Sequence, residues 1–332
     1  MTGSDSTASH RANTAQDAGI VLGRGSGPRN TFTTAHLTYL HHAERCLGDI
    51  ISLRGDVTLL LTIAIDTAST APYVLDQVLA LAAAHLATTD PSRHQLARSQ
   101  AIELQTRALE EFNEAMENMS EDSYIPKFLF ATLLGIHVLG ETLPNQQNGL
   151  PQFLEAFVGY ARLHRGVRAV VTAMSWKAVL ASDLQPLVYV HRLSNHVKEQ
   201  TPGTDTLALS KFLGSSGEDG CVVNACQEAL KQLQWVFDMC NQDPSRADVG
   251  VHATMAWPLL VPQEYLNLLL QMQPEALMVM VFYAAVLYRH RHFWAFGSAG
   301  SVLIDMLSAN LDSRWHDSPA WPNHVLFEAG LF

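Results

Sequence analysis

The chain has 332 residues, 48% hydrophobic and 16% charged, a composition that excludes a disordered polypeptide, a charge-rich coiled coil and a fibrous repeat. Its 21 Lys and Arg stand against 32 Asp and Glu, a formal net charge of -11, so the chain as a whole lacks the positive field that gathers phosphate backbones. The nearest candidate for a local basic patch is Arg289-His290-Arg291-His292, too short for a nucleic-acid surface.

Residues 1–31 are biased toward Ser, Thr, Gly and Asn and carry no apolar stretch of the signal-peptide kind. They read as a disordered tail ahead of a single all-α domain over residues 32–332. From there nearly every segment has helical length or period, and no two strand-like runs flank a hairpin turn. A first helix is expected over Thr34 to Ser52 and a second from Pro72 to Thr88. In the second, Val74, Val78, Leu81 and His85 share one face and Leu75, Leu79, Ala82 and Leu86 another, the pattern of a helix buried all round. Asp90-Pro91 reads as a helix start, with Asp capping free amides and Pro suiting the first helical position. The helix expected from it, to about Met119, is amphipathic. Leu104, Ala108, Phe112 and Ala115 form its core stripe, and Arg107 stands i, i+4 from Glu103 and Glu111 on the wet side.

Lys127 to Leu139 is apolar again, Gly140, Pro144 and Gly149 break the chain into a loop, and helix resumes from Pro151 to Ala173. Arg165 and Arg168 on that helix are placed to pair with carboxylates of neighbouring helices. Ser215 to Gly220 (SSGEDG) has no apolar residue and reads as a mobile surface loop, where any subdomain boundary would fall. Helices are then expected at Val222 to Cys240, Pro262 to Gln271, Pro274 to Arg291 and Ser301 to Leu311. The longest apolar run, Ala276 to Tyr288, is shorter than the roughly 20 residues that span a bilayer, so no membrane span is expected and the chain is read as cytoplasmic. Cys46, Cys221, Cys226 and Cys240 form no Cys-x-x-Cys pair and fit buried thiols of a reducing interior.

Little in this sequence carries recognisable chemistry. It contains neither a P-loop nor a strand-linked Gly-x-Gly-x-x-Gly, and no Gly-x-Ser-x-Gly nucleophile elbow. The acidic clusters that hold magnesium and diphosphate in terpene cyclases are missing too. His137 with Glu141, His191 with His196, and His290 with His292 fall short of the ligands a tetrahedral metal site needs, so no metal and no cofactor are expected. What remains is an apolar helical body suited to enclosing a hydrophobic ligand. His137, Trp257, Tyr265 and His290 are polar or aromatic residues beside its apolar stretches. The abundance of histidine, 15 residues, has no explanation in the sequence.

Several segments resemble one family. Tyr73 to Ala87 (YVLDQVLALAAAHLA) resembles the "LLxALLALAAxHLA" helix of fungal transcription regulators of the sterol uptake control type. Ala97 to Phe112, with Gln105, Ala108, Leu109 and Phe112, is similar to the next family helix, and Leu163-His-Arg-Gly166-Val to its "LxRG" segment. Pro274-Glu-Ala-Leu, Tyr283, Trp294-Ala-Phe-Gly297-Ser-Ala-Gly300, Leu303, Trp315 and Trp321-Pro322 follow the family's order. The resemblance implies an all-α effector domain with a pocket for a sterol-like ligand, Trp294 on its wall and Gly297 and Gly300 in a turn beside it. Members of the family usually carry a six-cysteine zinc cluster that reads DNA. This chain has four cysteines and none before Cys46, so direct nucleic-acid binding is not expected of it.

Two functions stay open. In the first, favoured by the missing cysteines, the chain is a stand-alone pocket protein of fungal secondary metabolism, a cofactor-independent cyclase or pericyclase acting on a terpenoid or polyketide. His137, Tyr265 and His290 are then its catalytic candidates, and Trp257, Trp294, Gly297 and Gly300 its ligand-binding ones. In the second it is a ligand-sensing transcription regulator, nuclear rather than cytoplasmic, acting without a DNA-binding domain of its own. The partner in both is a hydrophobic small molecule (a terpenoid, polyketide or sterol), and a homodimer is allowed for.

Overall fold

The first five helices are α1 (Thr34–Ile50), α2 (Thr58–Asp66), α3 (Pro72–Thr89), α4 (His94–Ala115) and α5 (Tyr124–Thr142). α3 begins on Pro72 at its first turn and has no polar face, so it packs α1, α2, α4 and α5 around itself. Its two buried polar side chains, Asp76 and Gln77, find partners on those neighbours. The chain then runs through α6 (Leu150–Val170), α7 (Ala173–Ala181), a single 3-10 turn (Gln185–Val188), α8 (Tyr189–Lys198) and α9 (Leu207–Ser215). A second group follows: α10 (Gly220–Gln242), α11 (Ala247–Leu260), α12 (Gln263–Leu270), α13 (Pro274–Arg289), α14 (Ala299–Asn310) and α15 (Ser313–His316). α13 is the counterpart of α3, buried at every residue from Glu275 to Leu287, and packs against α10, α11, α12 and α14. α6 joins the two groups, meeting α5 on one side and α11, α12 and α14 on the other.

This architecture comes from a computed structural model, which describes residues 32–116, 123–144, 146, 149–170, 173–215, 220–316, 321 and 323. The expected tail of residues 1–31 and the loop residues 216–219 lie outside the described residues, as does the end of the helix expected to reach Met119. Regular structure among the described residues is helical throughout. No single described helix is long and apolar enough to cross a membrane; α12 and α13 pass such a test only together, bent by 104°.

Four local expectations are corrected. Asp90-Pro91 opens a turn rather than the helix: the Asp90 carboxylate accepts from the Ser92 amide and hydroxyl, and α4 starts only at His94. Gly140 lies inside α5, where a Cβ would come within 3.0 Å of the Trp294 ring, so close packing rather than chain reversal accounts for it. Arg107 is only partly wet. Its guanidinium reaches across to α3 and grips both oxygens of Asp76 at 2.5 Å, a forked pair in which the carboxylate is almost fully buried. Arg165 meets backbone instead of a carboxylate, donating to the Pro258 and Val261 carbonyls at 2.8 and 2.5 Å and so closing the end of α11. The Arg168 side chain lies outside the described residues.

Candidate functional site

Three helical stripes converge on one cleft. On α5 the residues are Phe128, Ala131, Thr132, Gly135 and Ile136, spaced as one face of a helix. On α11 they are His252, Met255, Ala256 and Leu259, with the same spacing. α6 adds Tyr160 and His164, one turn apart, while α7 contributes Trp176 and α8 His191. The cleft encloses about 530 Å³. Beside it lies a narrower lobe of about 190 Å³ that shares Phe128, Thr132, Ile136, Trp176, His191 and His252 with it and is otherwise walled by Leu, Ile and Val. Together these volumes suit a small organic molecule. No Asp, Glu, Lys or Arg stands among the described residues that line either lobe.

The polar groups of the cleft are held in place by their neighbours. Tyr160 Oη lies 3.3 Å from His164 Nδ1. His252 donates from Nε2 to the Ser52 carbonyl at 3.0 Å, and burial keeps its imidazole on the neutral side of its ordinary range. The Trp176 ring sits edge-on to His191 at 4.6 Å between centroids and tilts against Phe128 at 5.5 Å. The Thr132 hydroxyl donates back to the Phe128 carbonyl. Among the described residues no three His, Cys, Asp or Glu side chains gather as metal ligands would.

The residues singled out from the sequence lie elsewhere, and most have their polar atoms engaged in the core. His137 is fully buried and turned toward α3, with Nδ1 3.1 Å from Gln77 Nε2, and desolvation pulls its pKa down to about 4. Trp257 and Tyr265 come together: their rings meet edge to face, Trp257 stacks on Tyr283, the indole donates to the Ala229 carbonyl and the phenol to the Ala276 carbonyl. His290 places Nε2 3.3 Å from Cys240 Sγ; burial lowers the imidazole to about 3 and raises the thiol to about 12, so both are neutral. Gly297 has φ of 45°, the left-handed turn that glycine permits, and Gly300 is the second residue of α14, where a Cβ would lie 2.4 Å from the Tyr288 amide nitrogen. Trp294 donates to the Ile50 carbonyl at 2.8 Å. It also lines a separate, more polar cavity of about 540 Å³ with Asp49, Arg54, His85, Asp248 and His292.

One comparison with known proteins bears on this geometry. Residues 29–140 match the fungal specific transcription factor domain. No curated protein and no solved structure matches the chain. The matched segment takes in α1 to α5, including the Tyr73 to Ala87 and Ala97 to Phe112 segments that carry part of the family resemblance. The Trp294 to Gly300 turn lies outside it. The boundary of the match runs through the cleft: α5, with Ile51, Leu53 and Leu60, is the matched wall, and α6, α7, α8 and α11 make the opposite one.

Tyr160, His164, Trp176, His191 and His252 were not recognised from the sequence as a group. The signal available was the α5 stripe at 128, 131, 132, 135 and 136, in which a glycine and a threonine interrupt an apolar face. A stripe of that kind reads equally well as core.

Proposed function

We propose that this chain is a ligand-responsive regulatory domain of the fungal transcription factor kind, with the cleft as its ligand site and a nuclear place of action. The observation that carries the reading is the match of residues 29–140 to the fungal specific transcription factor domain, whose last matched helix, α5, supplies one wall of the cleft. A ligand seated there touches both walls and favours whichever arrangement of them fits it, which is how an effector shifts a conformational equilibrium. The expected ligand is an apolar molecule of terpenoid, polyketide or sterol class, since the lining offers extensive hydrophobic and aromatic surface and, among the described residues, no Asp, Glu, Lys or Arg.

A second reading rests on the Tyr160–His164 hydrogen bond in the cleft. A phenol hydrogen-bonded to an imidazole in largely apolar surroundings suits an intramolecular cyclisation, where orienting a flexible substrate is worth roughly 7–11 kcal/mol in favourable systems. Two measurements separate the readings. In the fungal host, loss of a regulator lowers transcripts of its target genes, whereas loss of a cyclase leaves transcripts intact and accumulates an unrearranged precursor. In vitro, isomerisation of a substrate at constant mass by the purified protein would overturn the regulatory reading. Failure of a broad apolar panel to shift the melting temperature would overturn both.

A further inference from the structure

We infer that the occupant of the cleft is an uncharged amphiphile bound in one orientation, its aliphatic end in the narrow lobe and a hydroxyl or carbonyl oxygen on the Tyr160–His164 pair. The inference rests on the ligand-binding reading above and assigns a chemical class and a polarity to that site.

The lining divides into three zones. Residues belonging to the narrow lobe alone, such as Leu60, Leu133, Leu187 and Val190, are aliphatic and offer no hydrogen bond. The waist shared by both lobes is aromatic, with Phe128, Trp176, His191 and His252, and suits a ring or a run of double bonds. Residues belonging to the wide lobe alone include two polar side chains, Tyr160 and His164. At the waist one polar atom of each of three residues has a partner: His252 Nε2 the Ser52 carbonyl, the Thr132 hydroxyl the Phe128 carbonyl, and His191 Nε2 the Asn195 amide. A phenol with one hydrogen bond to an imidazole keeps capacity for another, as donor or acceptor according to the tautomer of the ring. Burial holds the Tyr160 phenol protonated.

The position of the His164 ring is fixed by a neighbour that has no side chain. A Cβ on residue 135 would lie 2.1 Å from His164 Cε1, so the ring can rest against α5 only because that residue is Gly135. A carboxylate or phosphate brought to this end would leave water without a cation to meet it, since no Lys or Arg among the described residues lines either lobe.

Three probes with one carbon skeleton test the assignment: farnesene, farnesol and farnesoate, titrated at pH 8 against the fluorescence of the protein's tryptophans, one of which, Trp176, lines the cleft. Farnesol is expected to bind at least tenfold more tightly than farnesoate. Tyr160→Phe and, independently, His164→Ala are expected to weaken farnesol about five- to tenfold and leave farnesene unchanged. Leu187→Phe, which fills the narrow lobe, is expected to weaken both. Each variant is first shown to melt within a few degrees of the parent. Farnesoate binding as tightly as farnesol, or Tyr160→Phe weakening farnesene as much as farnesol, overturns the assigned polarity while the ligand-binding reading stands. Absence of binding by all three overturns both.

Discussion

His137 and His290 act as neutral hydrogen-bonding groups inside the core. Each is buried, each takes an uncharged partner, and desolvation holds the two at about 4 and about 3. In the unfolded chain both titrate near the ordinary value of 6.5. Between 6.5 and the folded values the unfolded state therefore binds more protons, so stability is complete above pH 6.5 and falls as the pH drops toward 4. At pH 5 each residue is expected to cost roughly 2 kcal/mol. Melting curves from pH 7.5 to pH 4.5 measure this, and His137→Gln should flatten the acid side of the profile. The histidine count was visible in the sequence but its use was not, because a core imidazole and a cleft imidazole are the same letter. What separates His137 from His164 is which helix faces it, Gln77 on α3 in one case and a bare Gly135 on α5 in the other.

Among the helices, α3 and α13 were the most legible, since a segment apolar on every face has to be central. The least legible were α11 (Ala247–Leu260), which was not expected as a helix, and most of the short elements. α2, α7, α8 and α9 each run for ten residues or fewer and gave no individual boundaries, and the Asp90-Pro91 pair was read as a cap although its side chain closes a turn. The Asp76–Arg107 fork ties α3 to α4 beside their apolar contact. Asp76→Ala leaves a guanidinium three-quarters withdrawn from water without its partner, and is expected to destabilise the protein by about 3–5 kcal/mol, measured by chemical denaturation. The paired replacement Asp76→Leu with Arg107→Met should recover most of that loss. Where α14 meets α13, Gly300→Ala forces a methyl against the Tyr288 backbone, and overpacking of that kind is expected to cost about 3 kcal/mol.

At the scale of the molecule, α6 is the tie between the two helical groups. Phe157, at its centre, is fully buried and lies within ring-contact distance of Phe153, Tyr160 and Tyr283. Phe157→Ala is expected to cost about 4 kcal/mol and to separate one melting transition into two in differential scanning calorimetry. Saturation of the cleft acts in the opposite direction, adding about 2.7 kcal/mol at a free ligand concentration a hundredfold above Kd.

The cleft also contains the means of its own retuning. Ala131 on α5 and Ala256 on α11 both line the cleft, one from each wall, so a larger side chain at either position is expected to displace ligand. Ala256→Leu or Ala131→Val should shorten the longest ligand accepted while hardly moving the melting temperature, a result read by titrating a series of alcohols of increasing chain length. The range of molecules sensed can thus drift by single substitutions, with the fold carried along unchanged.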